Sequence, residues 1–519
     1  MKNRQTGAVW SYHDGTKHSY QSIRTNPHYL DWEIQPLPFK IYTELEPIPL
    51  QQQLSPSAVP ALLAMSTGAA EIEHGADLSR QALAEILFLS AGVTKRRNYP
   101  GGEMLFRAAA CTGALYHIDL YLVCGDLDDL AAGVYHFGPH DFSLRRLRAG
   151  DYRSSLASAS GAEAAIVNAS CVIVSASTFW RNAWKYQARA YRHCYWDNGT
   201  IAANLLAAAT ARKIPAKVVL GFVDMAVNEL LGLDPKREAA LSLFALGKAS
   251  SRRTGLAPKI PPLKLATEPL SKREVDYPAM RTMHEASSLE SEAEVATWRA
   301  EAKAAIGERI KHEERESALF ALEPLDDDDV PRDTIEEVIV RRGSTRAFAR
   351  ESISVTQLST LLDRATRGTF FDCFNDDESL NDLYLIVNAV EGLSPGVYSY
   401  RREARALELI KQGDFRREAG YLGLGQELPA DCSVNLYLLT DLHRVLERFG
   451  NRGYRAAQLD ASIMGGKFYL AAYAQRIGAS GLTFFDDEVT EFFSPNAAGK
   501  SVMFLVALGR SAKRRRNQV

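Results

Sequence analysis

The sequence of 519 residues has little of what would assign a function class directly. Its six cysteines include no C-x-x-C pair, and its eleven histidines include no H-E-x-x-H or similar ligand spacing. A zinc site and a disulfide framework are therefore not expected, no metal is predicted, and a reducing cytoplasm is the predicted location. The chain also has no apolar run of about eighteen residues and no apolar leader, so we expect no membrane segment.

The chain has no large excess of positive or negative charge, because its net charge is −2 at pH 7. This balance argues against nucleic acid and anionic membranes as partners. The composition, 46% hydrophobic and 24% charged, is that of a globular soluble protein. Because a chain of this length exceeds one ordinary hydrophobic core, we expect two domains with connections.

Changes in composition divide the chain into five predicted segments. They are a mostly irregular N-terminal extension (1–55), a first domain (56–250), a linker with an amphipathic helix (251–330), a second domain (331–510) and a basic tail (511–519). Helical and strand signals alternate in the first domain, as in an α+β or α/β fold. The extension could wrap a core or a partner, and the tail from Lys513 to Arg516 is predicted to be disordered.

The linker helix has a start signal and an apolar face. Ser291 and Glu294 have the spacing of a capping box. The apolar face consists of residues that recur at helical spacing: Val295, Trp298, Ala302 and Ile306.

The chain repeats itself at an offset of 263 residues. Matched pairs include Leu120-Tyr121-Leu122 with Leu383-Tyr384-Leu385, Gly133-Val134-Tyr135 with Gly396-Val397-Tyr398, Tyr191-Arg192 with Tyr454-Arg455, Asp197 with Asp460, and Phe222-x-Asp224 with Phe485-x-Asp487. So many matches at one offset indicate a tandem duplication, and two similar folds in one chain are expected to pack as a pseudo-twofold dimer. For the matched Tyr-Arg and Asp residues, a salt bridge or a helix anchor is favoured over catalysis.

One stretch from Arg107 to Val123 combines small residues with a predicted buried strand. The small residues from Ala108 to Ala114 let the main chain approach a flat ligand closely. The apolar run from Leu120 to Val123 is typical of a core strand. The stretch could present backbone N–H groups to a cofactor ring, and a tight turn that merely precedes a core strand is the alternative.

A second stretch, in the other half, is basic. It follows an apparent helix (TIEEVIV) and contains three arginines, a glycine and two hydroxyls within six residues, from Arg341 to Arg346. This set suits a phosphate and a polyol chain. The alternative is a solvated basic helix end.

These motifs resemble a known family. The stretch RRGSTRAF, followed by SVTQLSTLLDRA, resembles the opening signature of the FMN-dependent nitroreductase superfamily. In the first half, ILFLSAGVT, RAAACTGALYHIDLYLV, AGVYHF, WKYQARAYR and GFVDMAVNELLGLDP are similar to the SagB/ThcOx branch, whose enzymes oxidise azolines to azoles in modified peptides. The resemblance implies an α+β fold with a mixed sheet flanked by helices, an obligate dimer, and FMN at the subunit interface.

Each half has kept the part of that signature which the other half has lost. The first half reads LAMSTGAAEIE where the arginines would stand, and the second reads FFDCFNDDESLNDLY where the small-residue turn would stand. The resemblance therefore predicts one composite FMN site per chain and a decayed second pseudo-site. The residues predicted to hold phosphate and ribityl are Arg341, Arg342, Ser344, Arg346 and Arg510. Those predicted to cradle or border the ring are Cys111, Thr112, Gly113, Ala114, Gly481 and Leu482.

Catalysis is predicted for Lys185 and Tyr186, because they match the lysine–tyrosine pair with which the azoline-oxidising branch removes a proton. The second half has Arg448-Phe449 at the same offset, so only one pair survives. An exposed helix face is the alternative for any Lys-Tyr pair. Cys111 could be a redox thiol or simply a small residue that fills a tight turn.

The predicted function is an FMN-dependent oxidoreductase that dehydrogenates an azoline-like, peptide-derived substrate, with oxygen reoxidising the flavin. An NAD(P)H-dependent reductase of nitro compounds or quinones is one alternative, and NAD(P)H is then a further partner. A catalytically inactive scaffold that binds flavin or peptide is the other alternative. Oligomerisation beyond the pseudo-dimer is left open.

Overall fold

The structure is a computed structural model that describes residues 2–25, 27–68, 72, 75–99, 102–249, 257–304, 319–375 and 378–512. The predicted helical position of Ile306 and the predicted disorder of the tail from Lys513 to Arg516 lie outside the described residues.

The first domain is built on a seven-stranded sheet whose order is β1-β6-β5-β4-β7-β9-β8. Its strands are β1 (Pro47–Pro49), β4 (Ile118–Cys124), β5 (Gly133–Gly138), β6 (Ser143–Ala149), β7 (Cys171–Thr178), β8 (Ala216–Val219) and β9 (Glu238–Leu246). A separate two-stranded hairpin consists of β2 (Val93–Tyr99) and β3 (Gly102–Arg107). Every residue of β4 is buried, which confirms the predicted core strand at Leu120–Val123.

The second domain repeats this sheet position by position, in the order β10-β15-β14-β12-β16-β18-β17. Its strands are β10 (Leu319–Ala321), β12 (Asp382–Val387), β14 (Gly396–Arg401), β15 (Ala406–Gln412), β16 (Val434–Thr440), β17 (Gly478–Leu482) and β18 (Ser501–Gly509). Neighbouring strands of both large sheets run antiparallel, whereas the small pair β11 (Ile353–Ser354) and β13 (Val390–Glu391) is parallel.

Helices cover the two sheets and connect them. The extension holds α1 (Gly7–Gly15) and α2 (Tyr20–Thr25). The first domain holds α3 (Ala61–Ser66), α4 (Arg80–Ala91), α5 (Arg153–Ala159), α6 (Ala164–Val167), α7 (Phe179–Tyr186), α8 (Ala190–Ala211) and α9 (Asp224–Leu231). The linker holds α10 (Pro278–Ala286) and α11 (Glu292–Ala304). The second domain holds α12 (Ile335–Arg341), α13 (Val355–Ala365), α14 (Arg416–Leu422), α15 (Glu427–Asp431), α16 (Leu442–Phe449), α17 (Arg452–Ala474) and α18 (Asp486–Phe493). This arrangement confirms the predicted α+β fold of two similar domains.

The long helices α8 and α17 pack against each other at the centre of the molecule. A Cβ on Gly199 would lie 1.9 Å from Oγ of Ser462, and a Cβ on Gly466 would lie 2.6 Å from Cβ of Ala203. In both pairs each residue contacts its own counterpart at the offset of 263. Such self-contacts occur where a twofold axis passes, so the two domains pack as a pseudo-dimer within one chain.

Two buried aspartates join the domains across this axis. Asp224 of the first domain accepts from Arg452 and Arg455 of the second, at 2.6 Å each. Asp486 of the second domain accepts from Arg189 at 2.9 Å and from Arg192 at 2.6 Å. The arginines keep the offset of 263, but the counterpart of Asp224 is Asp486 and not the predicted Asp487. The offset between the two halves is therefore 262 at the start of α18, one residue less than at the arginines.

The extension and the linker helix both close around this core. The extension was predicted to be mostly irregular, and its helix α1 forms because Val9 and Tyr12 are buried against the domains. In α11, Val295, Trp298 and Ala302 are buried as predicted. Ser291 accepts from the Glu294 N–H, but the carboxylate of Glu294 accepts from the Glu290 N–H, so only half of the predicted capping box forms.

Within the described ranges, no helix is both long enough and apolar enough to cross a membrane.

Candidate active site between the two domains

The small-residue turn predicted to cradle a ring forms a short 3-10 helix at Thr112–Ala114. Gly113 has a φ of 65°, a left-handed conformation that glycine adopts without strain. The turn follows β3 and leads into β4, so a core strand fixes its C-terminal end.

Asp197 of α8 holds this turn in place. Its carboxylate accepts from the Thr112 N–H and hydroxyl at 2.8 Å each, and from the Cys111 thiol at 3.0 Å. His117 Nε2 lies 2.9 Å from the same carboxylate, and its Nδ1 lies 2.8 Å from Oγ of Ser177. The expected salt bridge of Arg192 does form, but its partner is Asp486, while Asp197 anchors the turn.

This anchoring favours one of the two interpretations of Cys111. Burial raises the pKa of its thiol well above the usual value, and the charge of Asp197 adds to the rise. The sulfur also accepts from the Tyr116 N–H at 3.1 Å. A thiol held protonated and bonded on two sides fits a turn-filling residue rather than a redox nucleophile.

Arg342 of the second domain reaches directly to the strand before this turn. Its Nε donates to the Ala108 carbonyl at 2.9 Å, and its Nη2 donates to the Arg107 carbonyl at 3.4 Å. Burial lowers the pKa of its guanidinium. The basic stretch of one half and the small-residue turn of the other therefore meet at the domain interface.

Tyr469 of α17 connects two more of the predicted residues and was missed by the sequence analysis. Its hydroxyl lies 3.3 Å from Oγ of Ser344 and accepts from the Gly481 N–H. The guanidinium carbon of Arg342 lies 5.6 Å from the centre of its ring. The repeat contained a signal for it, since the counterpart at the offset of 263 is Leu206, which has no hydroxyl.

Tyr186 lies against the turn. A Cβ on Gly113 would be 2.7 Å from the Tyr186 hydroxyl oxygen. Burial raises the pKa of Tyr186, the charge of Asp197 adds to the rise, and the charge of Arg346 opposes it. Lys185 is exposed, with its Nζ 5.4 Å from the centre of the Tyr186 ring. The structure thus places the Lys-Tyr pair, the turn and Arg346 beside one another.

Three predicted residues have other partners or neighbours. Arg341 donates to Asp333 at 2.7 Å and to the Tyr473 carbonyl at 2.8 Å. Arg510 donates to the Ser352 carbonyl at 2.9 Å, and Leu482 packs beside a small apolar cluster. The cluster consists of Phe348, Cys432 and Ala507. Arg341 and Arg510 therefore brace the segments that flank the basic stretch.

The pseudo-symmetric counterpart of this site is filled by the chain itself. The register of β8 and β17 gives these two strands the offset of 263, so the counterparts of Gly481 and Leu482 are Val218 and Val219. Directly after them, Asp372 accepts from the Leu220 and Gly221 N–H groups at 2.8 and 3.1 Å. Phe370 packs against Gly68, where a Cβ would lie 1.8 Å from its ring.

The linker helix α11 covers this counterpart site from outside. Arg299 donates to Asp372 at 2.9 Å and to the Gly221 carbonyl at 3.1 Å. Trp298 donates to the carbonyl of Phe449, the counterpart of Tyr186, at 2.9 Å. Of the two pseudo-equivalent positions, one therefore presents polar groups at an interface and the other is packed with side chains.

The donor set of the composite site fits FMN. Arg342, Arg346 and Ser344 supply two cationic groups and a hydroxyl for a phosphate and a polyol chain. Gly113 adds no side chain of its own, so its backbone can be approached closely, here by the Tyr186 phenol.

Comparison with known proteins decides the family. The sequence profile described as "Nitroreductase family" matches the chain twice, over residues 77–248 and over residues 339–510. The chain belongs to the nitroreductase family. The two matches cover more than half of this nitroreductase, one in each domain, which confirms the predicted tandem duplication. Membership also confirms the predicted enzyme class, a flavin-dependent oxidoreductase.

Individual relatives agree with this assignment. A solved structure from Anabaena variabilis, assigned as a nitroreductase, is 27% identical with a TM-score of 0.78, and the match covers 97% of this nitroreductase and 99% of that chain. MJ1384 of Methanocaldococcus jannaschii, also assigned as a nitroreductase, is 27% identical over 171 residues, which are 33% of this chain and 81% of that protein. The trifolitoxin-processing protein TfxB of Rhizobium leguminosarum bv. trifolii is 28% identical over 185 residues. That match covers 33% of this chain and 47% of TfxB, so it spans about half of TfxB.

Proposed function

We propose that this nitroreductase binds one FMN per chain in the composite site and dehydrogenates an azoline-like group of a peptide-derived substrate. The observation that carries the proposal is the contact of Tyr186 with Gly113, beside the turn that Arg342 reaches from the other domain. This contact supports a proton-handling residue next to the predicted ring position. The similarity to a protein that processes a toxin supports a peptide-derived substrate.

The protein groups divide the work by their positions. Arg342, Ser344 and Arg346 bind the phosphate and ribityl, and the turn at Thr112–Ala114 positions the ring. When bound, the flavin supplies the two-electron acceptor that such an oxidation needs.

Proton transfer belongs to the pair on α7. Dehydrogenation of an azoline releases one hydrogen as hydride and one as a proton. Because burial holds the Tyr186 phenol protonated, Tyr186 donates a hydrogen bond or relays a proton toward solvent, and the exposed Lys185 lies beside its ring.

The first test is the flavin content of the purified protein, from its visible spectrum and the released cofactor. We expect one FMN per chain, because the counterpart site is filled by Phe370, Asp372 and Arg299. Arg342→Ala should lower the content toward zero, whereas Arg417→Ala, an exposed arginine on α14, should not change it. Two FMN per chain, or half occupancy that persists in Arg342→Ala, would contradict a single composite site.

The second test is turnover of a short synthetic peptide that contains one thiazoline, followed by mass spectrometry as a loss of two hydrogens. Tyr186→Phe and Lys185→Ala should each lower kcat by roughly 10²-fold or more with flavin still bound. Lys236→Ala, an exposed lysine elsewhere, is the control. Fast anaerobic flavin bleaching by NADPH without thiazoline oxidation would instead indicate a nitro or quinone reductase. A protein that does not bind FMN would support the alternative of a catalytically inactive scaffold.

A further inference from the structure

The hairpin of β2 and β3 is a second functional element in the first domain. Its strands pair only with each other in the described part of the chain, so both outer edges have unpaired backbone groups. A lone two-stranded hairpin is only marginally stable in water. Open strand edges are also templates on which another extended segment can pair.

The two faces of this hairpin differ in charge and polarity. Cross-strand partners share a face, so Lys95 lies with Phe106 and Arg97 with Met104. We call this the open face, and Tyr99 also belongs to it. Lys95 and Arg97 have no ion-pair partner among the described residues, and Tyr99 and Met104 are 48% and 46% exposed.

The opposite face is electrically balanced. There Arg96 pairs with Glu103 at 3.3 Å, and Asn98 faces Glu103 across the strands. The unpaired positive charge and the exposed apolar side chains of the hairpin therefore gather on the open face. Exposed apolar groups next to uncompensated charge are typical of interaction surfaces.

The hairpin is continuous with the candidate active site. Strand β3 ends at Arg107, whose carbonyl accepts from Arg342, and the turn at Thr112–Ala114 follows within a few residues. Its six to seven residues per strand span about 20 Å. A segment of similar length laid along the hairpin would therefore lead toward Gly113 and Tyr186.

We propose that the open face and edge of this hairpin bind an extended, acidic segment of the substrate peptide that flanks the reacting ring. The inference rests on the proposed function and names the part of the substrate that is recognised outside the reacting group. Lys95 and Arg97 provide the charge complement, the free strand edge pairs with the peptide backbone, and Tyr99 and Met104 contact its apolar side chains.

The test uses the FMN-loaded enzyme and three synthetic peptides with one thiazoline each. They differ only in a six-residue flank, which alternates valine with glutamate, lysine or serine. The binding variant is Lys95→Gln with Arg97→Gln. The matched control is Arg96→Gln, which removes a charge from the neighbouring position on the opposite face. KM and kcat are measured by mass spectrometry, and binding of fluorescein-labelled peptides is measured by anisotropy.

We expect the wild-type enzyme to have its lowest KM for the acidic flank. Loss of an exposed charge pair changes affinity by about two- to fivefold, so the double variant should raise that KM by roughly tenfold with kcat unchanged. Arg96→Gln should change it less than twofold, and the serine-flanked peptide should be unaffected by either variant. Higher salt should weaken the preference.

Several results would overturn the proposal. They are an equal KM for the three flanks, an equal effect of Arg96→Gln, or a rise in KM for NADPH but not for NADH in the double variant, which would assign the hairpin to a nucleotide phosphate. If no thiazoline is oxidised, the anisotropy measurement tests the peptide-binding surface independently of the proposed oxidation. If the wild type binds the acidic peptide tightly and the double variant does not, the hairpin remains supported as a docking surface, while the proposed thiazoline oxidation is rejected.

Discussion

The hydroxyl of Tyr186 lies over Gly113 so closely that a Cβ on the glycine would be 2.7 Å from the phenolic oxygen. Gly113 therefore has two reasons to be glycine, its φ of 65° and this contact. The pair joins the end of α7 to the turn before β4. It places the phenol at the surface where the flat ring is proposed to bind.

The first prediction separates these two reasons. Gly113→Ala should lower turnover by roughly a hundredfold, because a displaced Tyr186 or turn misaligns the reacting groups. Gly425→Ala is the matched control, since Gly425 has a φ of 71° with no atom within 4 Å of a Cβ. Steady-state kinetics and flavin content measure both variants. An equal loss in the two would mean that the backbone conformation alone matters.

A second prediction concerns Tyr469, whose hydroxyl joins Ser344 to the Gly481 N–H. Tyr469→Phe should weaken FMN binding about fivefold, the effect of one lost hydrogen bond, and should shift the visible flavin spectrum. Titration of the flavin-free protein with FMN measures the affinity. Tyr398→Phe removes a hydroxyl of β14 that donates to the Ser394 carbonyl in the loop before that strand, and it should leave FMN affinity unchanged.

Stability should depend on the two buried aspartates that join the domains. Asp224→Asn and Asp486→Asn should each lower the free energy of unfolding by about 3–5 kcal/mol, because each leaves buried arginines without a counter-charge. Asp487→Asn is the control, as this neighbour of Asp486 pairs with Lys17 at the surface. Asp487→Asn should lower the free energy of unfolding by less than about 1 kcal/mol. Urea unfolding measures the three, and a large effect at Asp487 would contradict the assignment of Asp486 as the counterpart of Asp224.

The pH dependence of stability should reveal the lowered pKa of Lys467. Burial lowers the pKa of this lysine to about 7, and its Nζ donates to the Arg367 carbonyl at 2.6 Å. In the unfolded chain its pKa returns to the usual 10.5. Between these values the unfolded chain binds one more proton than the folded protein, so the free energy of unfolding rises with pH by up to about 1.4 kcal/mol per unit.

Lys467→Met should remove this contribution. The variant should be more stable relative to wild type at pH 7 than at pH 9.5, because the wild type gains stability as the pH rises and the variant does not. Urea unfolding from pH 6.5 to 9.5 measures the difference, with Lys236→Met as an exposed control. Parallel profiles for wild type and Lys467→Met would show that the lysine titrates normally in the folded protein.

Much of the fold could be predicted from local patterns. The core strand at Leu120–Val123, the apolar face of α11 and the helix before Arg341 follow from hydrophobic periodicity, which neighbouring residues alone determine. Partners far apart in the chain were harder to assign. A salt bridge or a helix anchor was favoured for Arg192, but its partner Asp486 lies in the other domain and could not be identified from the sequence.

The sequence by itself determined the duplication, the α+β class and the division of one signature between two halves. These are properties of composition and repetition along the chain, so no contact is needed to see them. The tertiary structure decided which half-signatures meet, because only packing on the pseudo-twofold axis brings Arg342 to Ala108. It also decided that the other position is filled, since Asp372 and Arg299 reach Leu220 and Gly221, directly after β8, from 152 and 78 residues away through contacts that no local pattern encodes.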